Sequence, residues 1–142
     1  MTAKRPPTIV VKGRFLGVAV LVAAQIIIGL VHAVFGFWLL FASSAPLAGI
    51  ASFGPDIYSV YTIVFSLLTL AFAGMLWLKN KWGWTGSMAV SGFVIVADSL
   101  TLLNLPSIPG IPKFAGFGEI TYSIIVIVYL MQTHVKTSYN IL

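Results

Sequence analysis

Four long apolar runs, at about residues 15–42, 57–78, 85–105 and 115–133, constrain this chain more than any other feature. A helix rises ~1.5 Å per residue and a hydrocarbon core is ~30 Å thick, so about 20 apolar residues suffice to cross it. Each run therefore reads as a transmembrane helix. Composition agrees, because 59% hydrophobic and 8% charged residues leave too little polar surface to face water. The chain is expected to be an all-α membrane protein. It would form a single domain over residues 1–142, an antiparallel bundle of four transmembrane helices. The first run far exceeds the ~7 to 15 apolar residues of a secretory signal and is read as a span that stays.

Basic residues set the expected orientation. Lys4, Arg5, Lys12, Arg14, Lys79, Lys81 and Lys136 fall on one side of the four spans and Lys113 alone on the other. That asymmetry places both termini in the cytoplasm of a cell membrane. It also accounts for the formal charge of +5 without a nucleic-acid partner. The inner connection "KNKWGW" reads as a hairpin turn made by Gly83. Trp82 and Trp84 are expected at headgroup depth, with Trp38 and Trp77 as further interface anchors. Tyr58 and Tyr61 are read in the same way. The outer connections, residues 43–56 and 106–117, repeat Pro and Gly yet stay apolar, as suits ordered, poorly hydrated caps.

Lipid accepts any apolar side chain, so small and weakly polar residues mark the faces where helices meet. Gln25, Gly29, His32 and Gly36 make one stripe on the first helix; Ser59, Thr62, Ser66, Thr69 and Ala73 make one on the second. The third carries Ser87, Ser91, Val94, Asp98 and Thr101, and the fourth Glu119, Tyr122, Val126 and Tyr129 with Ser123 beside them. Spacings of three and four residues put each set on one helix face. All four faces are expected to turn inward and to hydrogen-bond across helices, Tyr122 and Tyr129 as donors.

Depth gathers the ionisable residues. Asp98 lies ~20 Å along an outward-running third helix and His32 ~27 Å along the first, both in the outer half. Glu119 and Asp56 also fall on that side. Gln25, His32, Asp98 and Glu119 thus form a candidate polar cluster inside the membrane. An aspartate at such depth is protonated, paired or in contact with water. Its candidate roles are a neutral acid bonded to Gln25, His32 or Asn104, a proton or cation relay, or a contact to another subunit. His32, Asp98 and Glu119 also offer metal donors, although no two share a local ligand motif.

Other chemistry is poorly represented. With no cysteine, disulfides, thiolate metal sites and thiol nucleophiles are excluded. Bis-histidine haem ligation needs two histidines at depth, and His134 falls at the cytoplasmic end, so no intrinsic cofactor is expected beyond bound lipid. Nucleophile elbows, zinc-protease helices and phosphate loops are missing, which leaves no signature of an enzyme.

The stretches "GRFLGVAVLVAAQIIIGLVHAVFGFWLLF", "AGMLWLKNKWGWTGSMAVSG" and "YSIIVIVYLMQTHVKTSYN" resemble a broad group of small prokaryotic four-helix membrane proteins. In that group Gly-x-x-Trp, a basic turn and a second Trp join helices two and three; Gly74, Trp77 and Trp82 match. Its last helix ends in a Val-Lys-x-x-Tyr-like tail, here Val135, Lys136 and Tyr139. The resemblance implies architecture and a prokaryotic source, and transfers no catalytic residue. The expectation is a noncatalytic accessory subunit of a larger membrane complex, respiratory or oxygenase in type, packed against other integral subunits. The alternative is a homo-oligomeric carrier of protons, cations or small solutes with Asp98 as its protonatable group.

Overall fold

The computed structural model of the chain describes residues 10–11, 14–42, 55–109 and 111–141. A two-residue antiparallel ladder, β1 (Val10–Val11) with β2 (Arg14–Phe15), leads into α1 (Leu16–Ala42). Three further long helices follow, α2 (Pro55–Trp77), α3 (Lys81–Leu102) and α4 (Lys113–Leu130), and then a short α5 (Thr133–Ser138). Four of these contain stretches long and apolar enough to cross a membrane: Leu16–Phe41, Ile57–Trp77, Lys81–Leu102 and Lys113–Leu130. The chain has the architecture of a multi-pass membrane protein. Residues 43–54, expected as an apolar cap, lie outside the described residues.

Polarity is distributed inside out. Ser59, Thr62, Ser66, Thr69, Ser87, Ser91 and Ser123 are buried, while Val20, Ile27, Val31, Val34 and Trp38 stand exposed along α1. In water such an apolar flank would be a liability, but hydrocarbon accepts it and leaves polar groups to find partners within the bundle. Many of those partners are local. Thr62 donates to the Tyr58 carbonyl at 2.7 Å and Ser66 to the Ile63 carbonyl at 2.7 Å, back-bonds that spare the hydroxyls a partner on another helix.

Small residues decide how closely the helices approach. At Gly36 a Cβ would sit 2.8 Å from Ile63 Cγ1 and 3.3 Å from the Ser59 carbonyl, so α1 and α2 meet nearly backbone to backbone. The same holds where α2 meets α3, because a Cβ on Gly83 would overlap backbone atoms of Met75 and Leu76. Gly83 is therefore not the turn residue expected from "KNKWGW". It lies inside α3, and Lys79 makes the turn with φ 56°. The α2 end is closed by a bond from the Asn80 amide to the Met75 carbonyl at 2.9 Å, the pattern of a left-handed helix cap. Asn80 then accepts from the Trp82 amide at 2.9 Å. This side-chain cap explains why α3 opens at Lys81 rather than near residue 85.

The apolar core is made of Val18, Leu21, Val22, Ala73, Leu76, Val126 and Leu130, covered by Val135 and Tyr139 from the C-terminal segment. The fourth run does not continue to residue 133. It breaks after Leu130, and α5 lays Val135 and Tyr139, four residues apart, onto this core. Tyr139 donates to the Leu76 carbonyl at 2.7 Å, and the Trp84 indole N–H donates to the Leu130 carbonyl at 2.9 Å. Trp77 and Trp84 also pack against the core, whereas Trp38 and Trp82 stand 61% and 62% exposed. Tyr58 is buried and packed edge-on against Phe35.

The α2–α3 crossing is testable by adding one methyl group. Gly83→Ala is expected to lower unfolding stability in detergent by ~1–3 kcal/mol, since the obstructing atoms are backbone. Gly74→Ala, with nothing near its Cβ position, should change stability by less than about 1 kcal/mol. Equal effects at the two glycines would contradict the close crossing.

Candidate membrane-embedded carboxyl site

Asp98 sits on the inward face of α3 with no exposed surface. Its helix holds it against α4 at Gly116, where a Cβ would lie 3.4 Å from Asp98 Cβ; the absence of a side chain there lets the two helices close around the carboxyl. Glu119 lies three residues further on, and three residues on a helix return to the same face. That places the Glu119 carboxyl on the part of α4 that faces Asp98. No donor among the described residues reaches either Asp98 oxygen. Two ionised carboxylates have no hydrogen to share, so the two can hydrogen-bond only when one of them carries a proton.

None of the partners expected for Asp98 is bonded to it. Gln25 donates from Nε2 to Ser87 Oγ at 3.0 Å and not to any of the three ionisable groups. Ser87 precedes Asp98 on α3 by about three helical turns, so Gln25 meets that helix well short of the carboxyl. Asn104 is held outward by its own left-handed backbone, φ 56°, and accepts from Lys113 Nζ at 2.6 Å. His32 turns to Glu119, with Nε2 3.3 Å from Oε1, and both side chains are mostly shielded, 17% and 16% exposed.

The other ring nitrogen fixes how protons are arranged at His32. Nδ1 lies 2.8 Å from the Ile28 carbonyl, and a carbonyl only accepts, so Nδ1 carries the hydrogen. The Nε2 contact then holds a single proton, either on the imidazole facing a carboxylate or on Glu119 facing a neutral imidazole. Asp98, Glu119 and His32 thus form a file in which each contact requires one hydrogen between its two partners. Phe65 packs edge-on against the imidazole with centroids 4.8 Å apart, which keeps the ring in place from the α2 side.

The file borders open space. A cleft of about 250 Å³ runs between α1 and α4, with His32 and Glu119 on its walls and buried Phe65 and Val94 behind them. Tyr122 and Ser123 line the same cleft further along α4. The Tyr122 hydroxyl, expected as a donor within the bundle, meets no partner among the described residues. The α3–α4 connection is tied down by Ser107, which donates to the Ala97 carbonyl at 2.7 Å.

Metal binding finds no support in the arrangement, because no group of three His, Cys, Asp or Glu side chains among the described residues is placed to hold an ion. The geometry suits proton exchange between oxygen and nitrogen bases at the edge of a cleft. Comparisons with protein-family models, with curated proteins and with solved structures return no match.

A carboxyl buried against another acid meets a donor only when one of the two holds a proton, which is a cost to the fold. Asparagine in its place keeps the shape and adds an amide donor toward Glu119, so Asp98→Asn is expected to raise stability by ~1–3 kcal/mol. Denaturation in mixed micelles measures this. A loss of similar size would mean that Asp98 is a structural bond and not a functional group.

Proposed function

We propose that this chain is a small carrier in the cell membrane, moving protons, cations or small solutes through a site centred on Asp98. In this reading the four spans form an antiparallel bundle with both termini in the cytoplasm. The arrangement of basic residues supports that orientation. The observation that carries the function is the Asp98 carboxyl, wholly buried with no donor among the described residues on either oxygen and faced by Glu119. A polar group kept only to pin helices is satisfied by its neighbours, whereas an ionisable group left short of partners inside a membrane marks a proton or ion pathway. The cleft beside His32 and Glu119 supplies access from one side. The apolar cluster of Leu21, Leu76, Val126 and Leu130 closes the other end of the bundle, as a carrier requires in one of its two states.

A second reading, the accessory subunit of a larger membrane complex, draws on the same cleft. There α1 and α4 meet more sparingly than the other neighbouring helices, which leaves a seam that another integral subunit can complete. The source of the chain is proposed to be prokaryotic, and lipid is proposed to cover the apolar flanks.

Reconstitution separates the two readings. Purified chain in proteoliposomes is expected to dissipate an imposed proton gradient, and Asp98→Asn to slow this about 100-fold or more, the scale of a lost proton-transfer group. Flux that is unchanged by the substitution sinks the carrier. No flux from the wild-type chain, together with stoichiometric foreign subunits on gentle extraction, establishes the accessory reading instead.

A further inference from the structure

Below the carboxyl file lies a second, smaller space that the proposed site does not use. It is a void of about 10 Å³ lined by Gln25, Thr69, Ser87, Ser91, Tyr122 and Ser123, with aromatic and aliphatic side chains closing the remainder. That is about the smallest volume that admits one water molecule, by the ~10–15 Å³ such a site needs. Its polar lining is deeply buried, with Gln25 and Thr69 each 4% exposed. Gln25 Oε1, Thr69 Oγ1 and the Tyr122 hydroxyl oxygen, on three different helices, have no partner among the described residues.

We propose that this void is a binding site for a single water molecule, bridging Gln25, Thr69 and Tyr122. The donor and acceptor pattern is complementary to water. Gln25 already commits its Nε2 to Ser87, so its Oε1 only accepts, while the Thr69 and Tyr122 hydroxyls each have a hydrogen to give. One water donates to the amide oxygen and accepts from the two hydroxyls, within the usual two to four bonds of a buried water. Exchanging the Gln25 oxygen and nitrogen leaves one unpaired amide atom in the same place, and water serves that arrangement equally. An apolar occupant would strand all three groups. A metal ion would meet only neutral oxygens there, with no carboxylate in the lining to offset its charge.

The site deepens the carrier reading, on which its role rests although its occupancy does not. Tyr122 and Ser123 line both the void and the cleft, and they follow Glu119 by three and four residues on the same face of α4. The water therefore extends the polar file from Glu119 by about one helical turn, ~5 Å, toward the apolar inner core.

Proton-detected solid-state NMR on the full chain in lipid bilayers tests the site directly, by following magnetisation transfer from water to individual side chains. Transfer to the Gln25 amide and to Thr69 at short mixing times is expected, as it is at exposed Thr137 near the C-terminus. Tyr122→Phe and Thr69→Val, which keep side-chain shape, should each abolish the Gln25 signal while leaving Thr137 unchanged. Absence of transfer at Gln25 in the wild-type chain overturns the proposal. So does a Gln25 signal that survives both substitutions. The measurement needs no transport, so inactive proteoliposomes would count against the carrier and leave the water site standing.

Discussion

Everything in this structure follows from the cost of an unpaired polar group where water is scarce. Backbone groups meet that constraint by forming helices, and side chains meet it by turning inward. The consequence is a bundle whose interior carries serines, threonines, a glutamine and an aspartate, while its flanks carry valine, isoleucine, leucine and phenylalanine. Close crossings at Gly36 and Gly83 then replace the hydrophobic effect as the means of holding helices together.

Against that background the exceptions carry the functional information. The Thr62, Ser66 and Thr101 hydroxyls return to their own helices, and the end of the bundle beside the C-terminal segment is sealed by bonds such as Tyr139 to Leu76 and Trp84 to Leu130. Asp98 stands apart because no donor among the described residues reaches either of its oxygens, while the helix that faces it carries another acid, Glu119. The pairing has a meaning only with a proton in it, and His32 extends the same logic to Glu119. A group that must share hydrogens with its neighbours responds to proton supply, which is the property a carrier site needs.

Much of this is legible in the residues. The stripes through Gln25, Ser59, Ser87 and Ser123 can be read because a spacing of three and four residues is a property of one helix, and each of these residues is buried. Counting along the spans gathers His32 and Glu119 toward one end of the helices, and the structure brings the two side chains to 3.3 Å. Pairings between helices cannot be read that way. Gln25 to Ser87 and His32 to Glu119 are 62 and 87 residues apart, and nothing local announces either. The inner turn misleads for a different reason: a glycine next to a loop signals a turn, but Gly83 serves the helix crossing and Lys79 adopts the left-handed backbone instead. The break before α5 has no proline or glycine to mark it. Its one local signal is the four-residue spacing of Val135 and Tyr139, the face that covers the core.

In the proposed carrier, Asp98 and Glu119 hold a proton between them that exchanges with solvent. Infrared difference spectroscopy on the chain in lipid, stepping pH and then replacing water by D2O, tests it most directly. A protonated-carboxyl band is expected that shifts in D2O, disappears in Asp98→Asn and moves in Glu119→Gln. A spectrum with no such band, or one whose band never responds to pH or D2O, would contradict it.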